Sequence, residues 1–271
     1  MSGGHGIIRT AVFRNYFTMR GISMIQRKRL AAALLSLTMA FAAAYPAVPS
    51  FAAAWERNAS GSYVAADGSA LTGITARGID VSHWKQSINW NAVAADDVQF
   101  VMLGTKYNND VDPYFSVNAV NAFNAGLKVG AYIYSYATTT AAAEAEADFV
   151  LNLIKDYPIS YPVVLDVEST EMSALTPAQL ADVINAFCKK VEAAGYYPMV
   201  YTNDYWLSQK IDMAKVPYDV WVARYNAKPA YTGAAMWQAT NEGQINGVNG
   251  NVDINFVFKD LSAKLPADRW R

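Results

Sequence analysis

The chain has 271 residues, of which 53% are hydrophobic and 17% charged, and its formal net charge at pH 7 is −1. The first 54 residues hold six of the 22 Lys and Arg and none of the 23 Asp and Glu, which leaves 16 basic against 23 acidic side chains in the remainder. This length fits one sizeable domain, and the acidic remainder argues against nucleic acid as a partner, because surfaces that bind nucleic acid are basic.

The N-terminal segment has the pattern of a secretory signal peptide. A basic run at residues 27–29 precedes an apolar run at 30–44, and small residues at 52–54 offer a cleavage site. We therefore expect residues 1–54 to be a leader with its natural start at Met24. The expected location is secreted or cell-wall associated, and an uncleaved N-terminal membrane anchor is the alternative.

The remaining chain divides into a linker, one domain and a tail. Residues 55–77 are rich in Ala, Gly and Ser and are predicted as a linker or loosely packed lead-in. Residues 78–260 form the predicted domain, and residues 261–271 a C-terminal tail. Hydrophobic patterns predict eight strands, at residues 78–82, 100–105, 129–135, 162–168, 199–202, 220–223, 235–239 and 252–256.

Helices are predicted between the early strands. One covers residues 113–125 and ends at Gly126, and a second covers the Ala- and Glu-rich residues 139–154. A third begins with Thr176 as N-cap, followed by a proline, and ends at Gly195. The later strands are separated by short segments rich in Gly and Asn. The order predicts an α/β fold with a parallel sheet closed into a barrel that lacks some helices.

Two acids end the apolar strand at residues 162–168. Side chains alternate between the faces of a strand, so Asp166 and Glu168 lie on the same face. Mutual repulsion and partial burial are expected to raise the pKa of at least one of them. One protonated acid beside one charged carboxylate is the arrangement that cleavage of a glycosidic bond needs. Asp80 and Asp253 are further acids at predicted strand ends.

Other chemistries lack the residues that they need. The chain has two histidines, His5 and His83, and a single cysteine, Cys188. A zinc hydrolase needs three protein ligands, commonly His-rich, so no metal is expected. No glycine loop for phosphate and no dinucleotide motif is present, so no cofactor is expected. Cys188 lies in a helical pattern and is predicted as a buried core residue, and one cysteine allows no internal disulfide.

Several segments, in their order and spacing, resemble the family 25 glycosyl hydrolases, which are lysozymes of the N-acetylmuramidase type. The resemblance runs from residue 78 to residue 258, and its pieces include Gly-Ile-Asp80-Val-Ser-His-Trp, Pro-Val-Val-Leu-Asp166-Val-Glu168, Trp221-Val-Ala-Arg-Tyr225, Trp237-Gln238 and Val252-Asp253-Ile-Asn255. It implies a flattened, TIM-like (β/α)5(β)3 barrel. It also implies hydrolysis of the glycan strands of peptidoglycan.

The resemblance implies roles for individual residues. Glu168 corresponds to the general acid, and Asp166 to the group that orients or stabilises the reacting centre. Asp80 and Asp253 correspond to the other acids of the cleft floor. Residues two apart on a strand have Cα atoms about 6.6 Å apart, so the carboxyl separation could fall at the short end of the inverting range or below it. The pair also suits substrate assistance, in which the acetamido group of the sugar attacks while Asp166 holds it, and the resemblance favours retention by this route. Four rings at strand ends are candidates for sugar contact, with core packing as the alternative role: Tyr134, Tyr201, Trp221 and Trp237.

One segment departs from the family pattern. Many members carry an acidic residue just after the second strand, where this chain has Lys106 and Tyr107, so we expect an altered subsite and substrate preference. Three other functions remain open. A chitinase-like hydrolase would carry a further acid at position 164, which is valine here. A non-catalytic glycan-binding domain would not need a repelling acid pair, and a purely structural domain is the third. No heptad pattern is present, so a monomer is expected.

Overall fold

The computed structural model describes residues 54–259 and 261. The predicted leader up to residue 53, including the start at Met24, lies outside these residues, as does the predicted tail from residue 262. Within the described residues, no helix is long and apolar enough to cross a membrane.

Eight strands close into a barrel, as predicted, and a two-stranded hairpin lies beside it. The barrel order is β1-β2-β5-β6-β7-β8-β9-β10, and β3 pairs with β4. Seven barrel strands are parallel, whereas β10 runs antiparallel to both of its neighbours, β9 and β1. The strands are β1 Ala76–Val81, β2 Phe100–Gly104, β3 Lys106–Tyr107, β4 Asp110–Val111, β5 Lys128–Tyr134, β6 Val163–Asp166, β7 Pro198–Asn203, β8 Asp219–Ala223, β9 Ala234–Gly243 and β10 Val252–Val257.

Five α-helices follow the first five barrel strands, and the last three strands follow without α-helices between them, which confirms the (β/α)5(β)3 architecture. The helices are α1 Trp90–Ala95, α2 Phe115–Asn124, α3 Thr140–Ile154, α4 Pro177–Ala193 and α5 Asp204–Gln209. Three short 3-10 helices cover His83–Lys85, Met172–Ala174 and Met213–Lys215.

Local capping explains the helix bounds that the sequence predicted. The Thr139 side chain accepts a hydrogen bond from the Ala142 amide at the start of α3. The Thr176 side chain accepts one from Gln179, whose own side chain binds back to Thr176, so α4 begins with a complete capping box. Gly195 has a φ of +81°, a left-handed conformation that glycine adopts without strain, and the helix ends there.

Three elements were not predicted: α1, α5 and the β3–β4 hairpin. Helices α1 and α5 have six residues each, and β3 and β4 have two. An amphipathic repeat needs more than one or two turns to be visible in a sequence, so elements of this length leave no clear periodic pattern. Side-chain caps from Asn89 and Asn203 define the starts of the two helices instead.

The segment at residues 55–77, predicted as a linker or loosely packed lead-in, is packed instead. Trp55, Tyr63 and Leu71 are buried in it, and its last residues begin β1. Trp55 packs edge-on against Trp237 at 5.8 Å between ring centroids, and Tyr63 lies 5.2 Å from the ring of Phe256. The segment therefore covers the outer faces of β9 and β10, two of the three strands that no α-helix follows.

Two apolar cores result from the alternation of side chains along the barrel strands. The larger core lies between the strands and the outer elements and includes Cys188, which is fully buried, as predicted. The smaller core fills the barrel with side chains that include Phe100, Met102, Val164 and Met236. This inner core occupies the barrel below the acids, so the polar groups lie in one layer at one end.

Candidate active site

A cleft of about 460 Å³ opens at the end of the barrel where the parallel strands finish. Strand register brings its polar side chains together, because Asp80 on β1 pairs with Asp253 on β10, and Asp166 on β6 pairs with Tyr201 on β7. The residues that line the cleft are Asp80, Ser82, His83, Trp84, Gly104, Thr105, Lys106, Tyr107, Asn108, Tyr132, Tyr134, Tyr136, Asp166, Glu168, Tyr201, Trp221, Tyr225, Gln238 and Asp253.

Asp166 and Glu168 both line this cleft, although β6 ends at Asp166. Val167 between them is fully buried, and its amide donates to the Tyr201 carbonyl at 2.8 Å while its carbonyl accepts from the Thr202 hydroxyl at 2.7 Å. These bonds continue the strand geometry one residue further, so Val167 faces the outer core and its neighbours face the cleft.

The two acids have different surroundings. Burial raises the pKa of Asp166 well above its ordinary value, and the charges of Glu168 and Asp80 raise it further. Glu168 is half-buried, and burial alone raises the pKa of its carboxyl group. Oδ1 of Asp166 is buried and accepts no hydrogen bond from the described residues. Because Oδ1 is also shielded from solvent, a ligand in the cleft would meet the other carboxyl oxygen of Asp166, Oδ2.

A second pair of acids, Asp80 and Asp253, faces the first across the cleft. Burial raises the pKa of Asp80 well above its ordinary value, and the charge of Asp253 adds to this rise. Burial also raises the pKa of Asp253, although its hydrogen bond with Asp80 and the charge of Lys85 act in the opposite direction. Two adjacent buried carboxyl groups favour sharing one proton, because ionising both places like charges together.

Two amide side chains fix the position of Asp80. Its Oδ2 accepts from Gln238 Nε2 at 2.9 Å and from Asn255 Nδ2 at 2.8 Å. Asn255 Oδ1 accepts from Trp221 Nε1 at 2.9 Å, and Gln238 Oε1 accepts from the Tyr201 hydroxyl at 2.8 Å. An indole N–H only donates, so it fixes the orientation of the Asn255 amide. Oδ2 of Asp80 already accepts two hydrogen bonds. A proton shared with Asp253 therefore lies on the other carboxyl oxygen of Asp80.

Tyr132 occupies the floor between the acid pairs. Burial raises the pKa of its hydroxyl well above the ordinary value, and the charges of Asp80, Asp166 and Asp253 raise it further. Gly104 on β2 makes room for it, because a Cβ at that position would lie 3.1 Å from the Tyr132 hydroxyl oxygen. Tyr132 therefore remains a neutral hydrogen-bond donor among the three carboxyl groups of Asp80, Asp166 and Asp253.

One wall of the cleft is built on His83. The Asp112 carboxylate accepts from the His83 backbone amide at 2.7 Å and lies 3.1 Å from Nδ1 of its ring. The imidazole packs against Trp84 and Tyr107, with 4.5 Å and 4.0 Å between ring centroids. Trp84 is 76% exposed, so this stack presents a flat apolar ring at the rim of the cleft.

The structure brings three of the four predicted sugar-contacting rings, Tyr134, Tyr201 and Trp221, to the cleft. The prediction for Trp237 is wrong. Its indole is fully buried in the outer core and donates to the Arg224 carbonyl at 2.7 Å. Alternation along β9 explains the difference, because the neighbouring Gln238 faces the cleft and Trp237 must then face outward.

This correction gives a testable prediction. We expect Trp237→Phe to lower the free energy of unfolding by about 1–3 kcal/mol, because the smaller ring leaves a space in the outer core and the Arg224 carbonyl loses its donor. Urea unfolding would measure the change. The KM for the substrate should stay within about twofold of wild type, and a large rise in KM without loss of stability would contradict the outward placement.

Sequence reasoning missed several residues of the cleft. Gln238 and Tyr132 form its polar floor, and the fully buried Asn255 supports Asp80 from behind. The alternation of strands that predicted Asp166 and Glu168 could also have predicted Gln238. The exposed rim rings could not be found in this way, because they lie in loops, in a 3-10 helix or in the short hairpin: Trp84, Tyr107, Tyr136 and Tyr225. Among residues 54–259 and 261, no group of three or more His, Cys, Asp or Glu is placed to hold a metal ion.

A closed (β/α)5(β)3 barrel, with paired carboxyl groups and aromatic rings in a cleft at the ends of its parallel strands, defines a glycoside hydrolase of the TIM-like class. The family model that matches the chain, over residues 79–248, is that of the glycosyl hydrolases family 25. The chain belongs to this family.

Similar proteins agree with this assignment. Lysozyme M1 of Streptomyces globisporus is 32% identical over 213 residues, which cover 70% of this chain and 70% of that protein. The uncharacterised protein YegX of Escherichia coli O157:H7 is 34% identical over 203 residues, 71% of this chain and 73% of that protein. Among solved structures, the bacterial lysozyme from Streptomyces coelicolor matches with a TM-score of 0.58 and 28% identity, covering 70% of this chain and 94% of that chain.

Proposed function

We propose that this protein is a peptidoglycan hydrolase that cleaves the β-1,4 bond between N-acetylmuramic acid and N-acetylglucosamine. The observation that carries the proposal is the pair of Asp166 and Glu168 in one cleft, with unequal burial and raised pKa values. Similarity to Lysozyme M1 supports a cell-wall substrate. The exposed rim rings support a sugar chain as the ligand, because flat rings pack on the faces of sugars.

Glu168 is the general acid in this proposal. Because Asp166 is the more deeply buried of the two, it holds its proton more strongly in the empty cleft. A bound sugar changes this balance when its acetamido N–H donates to Oδ2 of Asp166, the carboxyl oxygen that is not shielded, since a hydrogen bond to a carboxylate stabilises its charged form. The resulting negative charge raises the proton affinity of Glu168. Substrate binding therefore leaves the proton on the acid that must donate it.

The bond then breaks with Glu168 giving its proton to the leaving glycosidic oxygen. The carbonyl oxygen of the acetamido group attacks the anomeric carbon, and Asp166 holds the acetamido nitrogen in position and balances its positive charge. Water opens the resulting ring while Glu168 takes back a proton, so both acids return to their starting states. This sequence retains the anomeric configuration, and early products of the opposite anomer in an NMR time course would contradict it.

Asp80 and Asp253 stabilise positive charge that develops at the anomeric carbon. Gln238 and Asn255 hold the Asp80 carboxylate at the floor of the cleft, and Tyr132 remains neutral beside it. A preorganised carboxylate needs no reorientation when charge develops, which is the largest electrostatic advantage of a buried site.

Analysis of digestion products tests the proposal. Purified bacterial walls would be digested, the new reducing ends reduced with borohydride, and the resulting sugar alcohols identified by mass spectrometry. Muramic acid alcohols are the expected product, whereas glucosamine alcohols would indicate cleavage of the other bond. Release of dye from chitin would favour the chitinase-like alternative, and binding to walls without any new reducing ends would favour a glycan-binding domain.

We expect both stability and activity to fall as pH rises. Burial raises the pKa of Asp80, Asp166, Glu168 and Asp253, so above the ordinary acid pKa of about 4 the folded protein binds more protons than the unfolded chain. The free energy of unfolding therefore decreases as pH rises through the folded-state pKa values. Urea unfolding and initial rates at a series of pH values would measure this. Stability that increases between pH 5 and pH 8 would contradict the burial of the four acids.

We further propose a secreted or cell-wall-associated location and a monomeric state. The basic and apolar N-terminal pattern supports export, and an acidic remainder without other strongly apolar segments is compatible with a location at the wall. N-terminal sequencing of protein recovered from the medium and from the cell fraction would show whether the leader is cleaved or retained as an anchor.

A further inference from the structure

A second cavity, of about 420 Å³, adjoins the cleft on one side. Its lining residues are Lys106, Asn108, Asn109, Tyr134 and Tyr136, and all of them except Asn109 also line the cleft. Tyr134 on β5 pairs with Asp166 on β6, so this side cavity begins directly beside the acid pair. A substituent on a sugar that is held at the acids can therefore extend into it.

The side cavity differs from the cleft in charge. The cleft floor carries four carboxyl groups, whereas Lys106 is the only Lys or Arg among the described residues that line either cavity. The Lys106 ammonium lies 5.8 Å from the centroid of the Phe149 ring and forms no ion pair with a described carboxylate. Its charge is therefore available to a ligand.

The hairpin holds this lysine and two amides in place. Lys106 pairs with Val111 across β3 and β4, and Asn108 has a left-handed φ of +53° in the turn between them. Asn108 and Asn109 bring carboxamide groups to the same cavity as the ammonium. An ammonium beside N–H donors is a set suited to a carboxylate, because charge-assisted hydrogen bonds are stronger than neutral ones.

The substrate in our proposed function supplies such a carboxylate. N-acetylmuramic acid carries a lactyl group to which the stem peptide is attached, and stem peptides contain free carboxylates. An extended peptide advances about 3.5 Å per residue, so the first of these groups lies within reach of a cavity that adjoins the sugar site. We propose that the side cavity binds a carboxylate of the stem peptide, with Lys106 as the residue that determines this specificity. This inference depends on the proposed function.

Kinetics on matched glycan strands test the inference. One preparation keeps its stem peptides. The other has lost them to an amidase that cleaves the lactyl–peptide bond, and the lactyl carboxylates that this cleavage frees are then converted to neutral amides. The full chain, the Lys106→Gln variant and the control variant Lys189→Gln, at an exposed position of α4 outside both cavities, would each be assayed by the release of reducing ends.

We expect the wild type to prefer peptide-bearing strands, measured as the ratio of kcat/KM between the two substrates. Lys106→Gln should lower this ratio about tenfold, which corresponds to the loss of one charge-assisted hydrogen bond, and Lys189→Gln should leave it unchanged. Strands whose stem carboxylates are converted to amides should show the same loss with the wild type and no further loss with Lys106→Gln.

An unchanged ratio in Lys106→Gln would overturn the inference, and so would an equal loss on peptide-bearing and peptide-free strands. A further loss with Lys106→Gln on amidated strands would also overturn it, because the lysine would then act on something other than the carboxylate. These outcomes leave the proposed function intact as long as the wild type releases reducing ends. A wild type that cleaves neither kind of strand would instead overturn the proposed function itself.

Discussion

We expect Glu168→Gln to lower the rate of wall hydrolysis by about two to four orders of magnitude, because the amide has nearly the same shape as the acid and cannot donate the proton that the proposed mechanism needs. KM should change little, since the group that remains can still make a hydrogen bond. Glu168 is half-buried and burial opposes its charge, so the variant should be as stable as the wild type or slightly more stable. Turbidity loss of purified walls measures the rate, and urea unfolding measures the stability.

Glu171→Gln is the matched control for this substitution. Glu171 lies three residues further along the chain, is exposed and does not line the cleft, so its loss of charge should leave the rate within about twofold of wild type. Retention of wild-type activity by Glu168→Gln, in protein whose fold is unchanged, would remove Glu168 from the role of general acid.

Asp166→Asn is expected to change activity and stability in opposite directions. The rate should fall by about two to three orders of magnitude, because a neutral amide cannot balance the charge that forms on the acetamido nitrogen. The free energy of unfolding at neutral pH should rise by about 1–3 kcal/mol, because the variant removes a buried acid that Glu168 and Asp80 repel. This gain should disappear at acid pH, where the wild-type carboxyl group is protonated.

Measuring the hydrolysis rate and the free energy of unfolding on the same preparation distinguishes the loss of a catalytic group from a folding defect. Asp156→Asn, an exposed acid after α3, is the control and should change neither. A variant at position 166 that is less stable than the wild type at neutral pH would mean that the Asp166 carboxylate has stabilising partners in the folded protein. That result would contradict the burial of Asp166 without a hydrogen-bond partner for its Oδ1, and with it the raised pKa on which its proposed role depends.

The sequence predicted the strands and the acid pair because both depend on the period of a β-strand. All eight barrel strands were predicted, and alternation alone places Asp166 and Glu168 on the same face. The placement of the second acid pair depends on the pairing of two distant strands, which residue spacing does not predict. Asp80 and Asp253 meet because β10 closes the barrel against β1, and this register is a property of the whole sheet.

The aromatic residues show where sequence reasoning was incomplete. A tryptophan in a strand fits an apolar core and a sugar site equally well, and only the face that it occupies decides between them. Trp237 faces outward because Met236 and Gln238 on either side of it face inward. The exposed Trp84 belongs to a 3-10 turn, where no alternation exists to assign a face.

Residues 55–77 pack onto β9 and β10 although they lie outside the part of the chain that the family model matches. Similarity to the family begins at residue 79, yet Trp55 and Tyr63 shield Trp237 and Phe256 from water. A polypeptide that began at residue 79 would expose this apolar surface of the barrel to water, and we expect it to aggregate or to pair with another copy. We therefore expect a soluble fragment to need the chain from about Trp55 onward, upstream of residue 79, where the family match begins.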